Sequence, residues 1–297
     1  MLVPGIRKKG GIMNVVMSGA TGFIGGNLTK SFTDRNWKVI PINREDLTLG
    51  SGLLAEKIEG SDAVINLAGA PVGTKWTEQY KKILYDSRIE TTKRVVNALE
   101  KIGQKPHLFI STSAIGIYSS KGSHTEESKD YADTFLGRLT LDWERAAMKA
   151  TEFGIRTVIF RCGIVIGRNG GALQKMLLPF RLGLGGVIGD GKQAFSWVHI
   201  EDLVSAYLTA IEDKRFQGIY NLTAPNPTTN EGLTKALGHA IHRPTFLHVP
   251  SYVLKLQFGE GASMLLEGQR VFPERLLRHG FKFRFSGIQE AVDESVK

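Results

Sequence analysis

Gly19-Ala20-Thr21-Gly22-Phe23-Ile24-Gly25 is the stretch whose reading decides the fold. An apolar run, Val15-Val16-Met17, leads into it, and a helical stretch containing Asn27-Leu28-Thr29-Lys30-Ser31-Phe32 leaves it. A strand that turns through glycines into a helix aims free backbone N–H groups and a helix N-terminus at one spot, which suits a pyrophosphate. Gly19 is expected to make the tight turn, Gly22 to let the backbone approach the phosphates, and Gly25 to let helix and strand pack closely. Thr21, Phe23 and Ile24 fill the other positions of the turn and are assigned to the same site. A glycine triplet alone is weak evidence in a chain with 34 glycines; the strand before it and the helix after it make the signal strong.

Downstream, apolar runs alternate with helix-period stretches, the pattern of a parallel sheet covered on both faces. Strands are predicted at Asn14–Met17, Lys38–Ile42, Ala63–Asn66, His107–Ser111 and Thr157–Arg161. Helices are predicted at Gly25–Arg35, Trp76–Lys101 and Phe135–Phe153, the second carrying Ile83, Ile89, Val95, Val96 and Leu99 near helical spacing. Pro41 inside the second strand predicts a local distortion, because an interior strand there loses a ladder hydrogen bond. Beyond Gly163 the texture becomes glycine- and proline-rich. A helix near Glu201–Ile211 and a strand near Ile219–Leu222 read as a return to the sheet. The fold class is therefore α/β: a Rossmann-type, doubly wound parallel sheet with a smaller C-terminal α/β unit. Residues 13–167 and 197–225 are expected in the sheet domain, 168–196 and 226–297 in the smaller one, and 1–12 in a disordered extension. Met13 enters the first strand directly and is the expected natural start.

Composition narrows the function classes. Hydrophobic content of 42% and charged content of 23% are ordinary for a globular protein. No apolar run approaches the ~20 residues needed to cross a bilayer, so no membrane partner is expected. Cys162 is the only cysteine, which rules out an intrachain disulfide and points to a reducing cytoplasm. The net charge of +9 is spread along the chain without long basic runs or basic–aromatic interleaving. That pattern argues against a nucleic-acid partner and suits a phosphate-bearing ligand.

The tip of the second strand reads Ile42-Asn43-Arg44. In a dinucleotide fold an acid here favours NAD, and an arginine favours the 2′-phosphate of NADP. Arg44 is assigned to that phosphate with Asn43 beside it, a charge-assisted contact of roughly 1.5–3 kcal/mol. Glu45 and Asp46 follow, and would reverse the preference if the register slipped. Asn66-Leu67-Ala68-Gly69 ends the third strand and reads either as a wall along adenine and ribose or as a plain strand end. Ser111-Thr112-Ser113-Ala114-Ile115-Gly116-Ile117-Tyr118 ends the fourth strand at the edge where ligands gather. Its hydroxyls either bond a carbonyl or alcohol, or cap the strand end. His239 and His242 lack a third ligand and read as a helix end, so no metal is expected. Cys162 reads as a small buried side chain, and neither a hydrolase elbow nor a phosphate-loop Gly-Lys-Ser/Thr is present.

These motifs, with Gly189-Asp190-Gly191-Lys192-Gln193 and Val198-His199-Ile200-Glu201-Asp202 following in order, resemble an extended short-chain dehydrogenase/reductase from Met13 onward. More closely, the chain resembles an atypical NADP-dependent epimerase family. That likeness rests on Ser87-Arg88-Ile89-Glu90-Thr91-Thr92, Trp143-Glu144, Leu178-Pro179-Phe180-Arg181-Leu182-Gly183-Leu184-Gly185-Gly186 and Leu266-Glu267-Gly268-Gln269-Arg270. The resemblance implies a Rossmann domain with a smaller C-terminal substrate domain and NADP as cofactor. Asn43, Arg44, Leu67, Ala68, Arg88 and the Val165 region would line the cofactor, with Gly69 and Ser111 adjoining. It also implies that His199 and Asp202 brace the Gly189–Gly191 segment.

The chain departs from the superfamily at the Tyr-x-x-x-Lys pair. Registering on Glu144 puts that tyrosine at Phe135 or Leu136 and the lysine at Leu139 or Thr140. A free tyrosine titrates near ~10, so serving as a base near neutrality needs a shift of about three units, roughly 4 kcal/mol. Ser113 and Tyr118 are taken as the catalytic candidates, with Tyr131 as an alternative to Tyr118 and Arg138 as a cationic helper to either. The expected function is NADP(H)-dependent hydride transfer, as a reductase or epimerase, on a nucleotide-sugar or other polar carbonyl or alcohol. Lys175 and Arg181 near the domain junction are compatible with a phosphate-bearing substrate, and a monomer or homodimer is expected. The missing pair motivates a competing reading, a non-catalytic NADP-binding regulator or scaffold.

Overall fold

The computed structural model describes residues 12–48 and 51–297, so the expected extension lies outside it apart from Ile12. In chain order, β1 (Asn14–Ser18) is followed by α1 (Phe23–Thr33), β2 (Lys38–Ile42), α2 (Arg44–Thr48), α3 (Ser51–Ile58) and β3 (Ala63–Asn66). Next come α4 (Glu78–Asp86), α5 (Ile89–Lys101), β4 (Leu108–Ala114), β5 (Ser123–His124), α6 (Phe135–Met148), β6 (Arg156–Cys162) and β7 (Ile164–Gly167). The chain continues through α7 (Gly171–Arg181), β8 (Gly186–Ile188), β9 (Ala194–Phe195), β10 (Trp197–His199), α8 (Ile200–Glu212) and β11 (Gly218–Leu222). It closes with β12 (Thr228–Thr229), α9 (Asn230–Ala240), β13 (Leu247–Val249), α10 (Ser251–Phe258), α11 (Ser263–Leu266), β14 (Arg270–Val271), α12 (Glu274–Arg278) and α13 (Ile288–Val296).

Six strands form one parallel sheet in the order β11-β6-β4-β3-β1-β2. Alternation along these strands sorts side chains to opposite faces. Val15, Met17, Ile65 and Ile110 meet Leu28 and Phe32 of α1 and Leu203, Ala206 and Tyr207 of α8 on one face. Val16, Val64, Phe109 and Ile159 meet Leu54 and Ile58 of α3 and Val95 and Leu99 of α5 on the other. A third apolar cluster joins Leu173 and Phe180 of α7, Leu233 and Leu237 of α9, and Val292 of α13 around Trp197.

Two expectations need correction. Pro41 causes no break: β2 is the sheet's edge strand and keeps an unbroken parallel register with β1, with Met17 opposite Pro41. At an edge the missing N–H faces away from any ladder partner. The single helix expected over residues 76–101 is two, α4 and α5, broken at Ser87 and Arg88. The Ser87 hydroxyl accepts from the Ala70 N–H at 3.0 Å, which ties the break to the loop after β3. α6 likewise stops at Met148 and tightens into a 3₁₀ turn over Lys149–Phe153.

Candidate functional site

The turn after β1 has the geometry that its glycines foretell. Gly19 is left-handed at φ +70°, and a Cβ there would lie 3.1 Å from the Leu67 carbonyl. A Cβ on Gly25 would come within 2.2 Å of the Gly19 oxygen, so any side chain would push α1 off the strand. Gly22 is the N-cap of α1, no side chain caps that end, and its first turn holds no acid. The positive end of an 11-residue helix therefore opens onto the turn without internal compensation. Thr21 and Gly22 are exposed there, with Phe23 and Ile24 half-buried. The Ser18 hydroxyl braces the neighbouring loop: it donates to Asn66 Oδ1 at 2.6 Å and accepts from the N–H groups of Leu67 and Ala68 at 3.1 and 3.2 Å. Asn66 Nδ2 donates to Thr92 Oγ1 at 2.8 Å, and Thr92 donates back to the Arg88 carbonyl at 2.6 Å.

Two cations border this turn. Arg44 opens α2 directly after β2 and is exposed, without an ion pair among the described residues. Of the two acids that follow it, Asp46 is engaged elsewhere, accepting from the Asn43 N–H at 2.6 Å and pairing with Lys57 Nζ at 2.6 Å, while Glu45 is exposed. Arg88 is set at the N-cap of α5. Its guanidinium donates to the carbonyls of Ala70 (2.9 Å) and Leu84 (3.2 Å), lies 5.4 Å from the Trp143 ring centre, and occupies the space a side chain on Gly69 would need. Among the described residues it has no carboxylate partner. Burial pushes it down to about 10, so it remains a cation at neutral pH.

A few residues along the same sheet edge, the geometry is closed rather than open. Ser113 donates to Glu144 Oε1 at 2.6 Å. Arg161 grips Glu144 with both Nε (2.8 Å) and Nη2 (2.7 Å), and its Nη1 donates to the Tyr118 hydroxyl at 2.7 Å. Tyr118 donates onward to Asn221 Oδ1 at 2.8 Å, and Asn221 Nδ2 reaches the Phe272 carbonyl at 3.0 Å. All five side chains are buried. Burial raises the Tyr118 phenol above its usual range although Arg161 opposes the shift. Burial would lower Arg161, but the Glu144 carboxylate outweighs it and holds the guanidinium above its ordinary value. Tyr118 thus departs from the acid–base setting expected of it: both hydroxyl positions are taken and no part of it is exposed.

The remaining candidates fall around these two regions. Ser111 is buried with Oγ 3.5 Å from the Thr112 carbonyl, and Val165 is half-buried on β7. Tyr131 is exposed, with the Arg161 guanidinium 5.9 Å from its ring centre. Arg138 is exposed and paired to Asp133 at 2.6 Å. A cleft of ≈ 640 Å³, lined by Lys81, Lys82, Tyr85, Phe135, Arg138 and Glu260, opens beside the start of α6. Its lysines are paired, Lys81 with Glu78 and Glu260 and Lys82 with Asp86. Phe135, Leu136, Leu139 and Thr140, the positions expected to replace the tyrosine and lysine, lie on the first turns of α6, where Thr140 donates to the Leu136 carbonyl at 2.7 Å.

His199 and Asp202 brace a different segment from the one expected. Asp202 accepts from the N–H groups of Arg284 (2.7 Å) and Phe285 (3.0 Å), and His199 Nδ1 caps α8 at Glu201 N–H (3.3 Å). Cys162 is a free, buried thiol that burial pushes up to about 12. His239 lies in α9 and His242 follows it in the left-handed region at φ 54°; no cluster of metal-binding side chains occurs among the described residues.

A parallel sheet with a glycine turn opening onto a bare helix end defines a Rossmann-type α/β nucleotide-binding fold. Residues 15–223 match the NAD dependent epimerase/dehydratase family, and residues 249–295 match a domain of unknown function, DUF1731. The chain belongs to that epimerase/dehydratase family. It is 38% identical over 294 residues to "Epimerase family protein SDR39U1" of Bos taurus, covering 96% of this chain and 100% of the relative. It is 34% identical over 298 residues to "Epimerase family protein YfhF" of Bacillus subtilis, covering 96% and 98%. The solved human SDR39U1 (isoform 2) with NADPH superimposes at TM-score 0.87 and 36% identity, over 95% of this chain and 99% of that one.

Sequence reasoning missed the closed network as a unit. It singled out Trp143-Glu144 and Ser113 but not Arg161 or Asn221. One signal was available: an arginine inside the apolar strand Thr157-Val158-Ile159-Phe160-Arg161-Cys162 demands a buried anion.

Proposed function

We propose that this chain binds NADP(H) and transfers hydride to or from a polar carbonyl or alcohol, as a reductase or as an epimerase. The observation that carries the reading is the uncompensated positive end of α1 meeting the Gly19–Gly25 turn, with Arg44 and Arg88 left without carboxylate partners beside it. These features fit an anionic dinucleotide. In this reading the α1 amides hold the pyrophosphate, Arg44 with Asn43 holds the 2′-phosphate, and Leu67, Ala68, Gly69, Arg88, Ser111 and Val165 line the rest. The cofactor, when bound, supplies the hydride chemistry. The solved human relative with NADPH supports the choice of NADP over NAD.

The protein's own residues then have to bind substrate and move a proton. Ser113 donates its hydroxyl hydrogen bond to Glu144, so its oxygen is left to accept rather than donate. Tyr131, exposed and backed by Arg161, is our choice for proton exchange with the substrate oxygen in place of Tyr118. The residues 168–196 and 226–297 form the smaller, substrate-facing unit, and a cytoplasmic setting is retained. Nicotinamide absorbance followed over a panel of sugar nucleotides and simple ketones tests this reading. Turnover that falls at least tenfold in Tyr131→Phe with unchanged cofactor affinity supports it. A specific observation favours the second reading, a non-catalytic NADP-binding module: neither Phe135 or Leu136 nor Leu139 or Thr140 supplies the acid–base pair, and Tyr118 is sealed in. Tight NADPH retention with no turnover across the panel would favour that module.

A further inference from the structure

The C-terminal elements carry a surface that the nucleotide site does not use. Among the described residues, every large apolar side chain exposed by 60% or more lies there, Ile12 aside: Leu178 (65%), Leu182 (66%), Leu184 (60%), Phe246 (74%), Tyr252 (71%) and Leu256 (81%). Leu182, Leu184 and Phe246 lie at one end of the β8–β13 pair. The Leu184 N–H bonds back to the Pro179 carbonyl at 2.9 Å and the Leu182 N–H to the Leu178 carbonyl at 3.2 Å, folding the turn onto the end of α7. β8, which follows this turn, pairs in parallel with β13, setting Gly186 opposite Leu247, so Phe246 enters the pair at the same end as Gly185 and the turn before it. α10 leaves the far end of β13, with Tyr252 and Leu256 one helical turn apart.

The charges within its two main segments have one sign, with Asp190, Glu231 and Glu260 at their borders. No aspartate or glutamate occurs from Asn169 to Gly189 or from Gly232 to Gly259. Arg181, Arg243 and Lys255 are exposed within those segments and have no ion pair among the described residues, whereas the Lys175 amine lies by Gly73 in the loop after β3. Protruding leucines and aromatics flanked by free cations form the chemistry of a face that sits on an anionic lipid surface. A second copy is a poorer occupant, because a two-fold contact would set these unpaired cations against each other.

We propose that the α7–β8 turn and the adjoining β13–α10 segment dock peripherally on an anionic bilayer, with Leu182, Leu184 and Phe246 entering the headgroup boundary and Arg181 and Arg243 meeting lipid phosphates. This departs from the expectation of no membrane partner, which rested on crossing the bilayer. No helix among the described residues is long and apolar enough to cross, and the proposal needs none. It is independent of the cofactor reading.

Sedimentation of the full chain with vesicles tests it. Vesicles of phosphatidylcholine alone should leave the protein in the supernatant, and vesicles with one-third phosphatidylglycerol should pellet it. Raising salt well above 0.1 M, where the screening length is about 10 Å, should release it. Leu182→Ser/Leu184→Ser should weaken binding roughly thirtyfold, and Arg181→Gln about fivefold, both with an unchanged melting temperature. Leu53→Ser, at an exposed leucine on α3, should change nothing. Absence of binding to anionic vesicles would overturn the proposal. So would binding that the double leucine variant leaves intact, or a self-association in ultracentrifugation that this variant abolishes.

Discussion

Two arginines at the carboxyl edge of one sheet make an instructive contrast. Arg161 is gripped twice by Glu144 and tied through Tyr118 to Asn221, and its charge is held by that pairing. Arg88 lies partly buried against an indole and two carbonyls, with no carboxylate, and burial pushes it down to about 10. Both are arginines drawn away from solvent, Arg161 fully and Arg88 in part; the partner differs. A buried cation with its anion inside the fold is structural, whereas one lacking its anion is poised for an anion from outside.

The sharpest way to break this contrast is to unpair Arg161. Glu144→Ala should cost about 3–5 kcal/mol in urea unfolding, because a desolvated guanidinium loses its anion. Replacing both partners, Glu144→Leu with Arg161→Met, should recover much of that loss; if it does not, the pair has a role beyond mutual neutralisation. Next in size is an acid effect. Burial lowers His199 to about 4 from an ordinary 6.5, so the unfolded chain takes up a proton that the folded one refuses. This contribution is complete above pH 6.5 and is lost as pH falls from there towards 4. Between pH 7 and pH 5 the wild type should lose about 2 kcal/mol more stability than His199→Asn. Tyr118→Phe should cost about 1–2 kcal/mol, the penalty for leaving Arg161 and Asn221 short of one partner each. Arg88→Met is the counterpart: stability within about 1 kcal/mol of wild type, yet NADPH affinity down at least tenfold by fluorescence titration. A large stability loss in Arg88→Met would erase the distinction between the two arginines.

Local pattern carried the open region into view. The strand, glycine turn and helix follow one another in sequence, and Arg44 lies just past the next strand, so period and spacing suffice. The break at Ser87 and Arg88 was hidden because apolar spacing runs on across it; what ends α4 is a bond from the Ala70 N–H to Ser87, a tertiary contact. Pro41 was misread because position in the sheet, not the residue, decides its cost, and β2 is an edge. The closed network was illegible as a set, since Ser113, Glu144, Arg161 and Asn221 come from four separate elements. Tyr118 looked available only because burial is not written in a hydroxyl.

The central claim is that the open region holds a dinucleotide through its adenosine phosphate. Parallel titrations of wild type and Arg44→Ala with NADPH and NADH test it most directly. Wild type should prefer NADPH by about one to two decades, and Arg44→Ala should lose that preference through weaker NADPH binding while NADH binding stays constant. Retention of neither dinucleotide, or a preference that survives the loss of Arg44, would contradict the account.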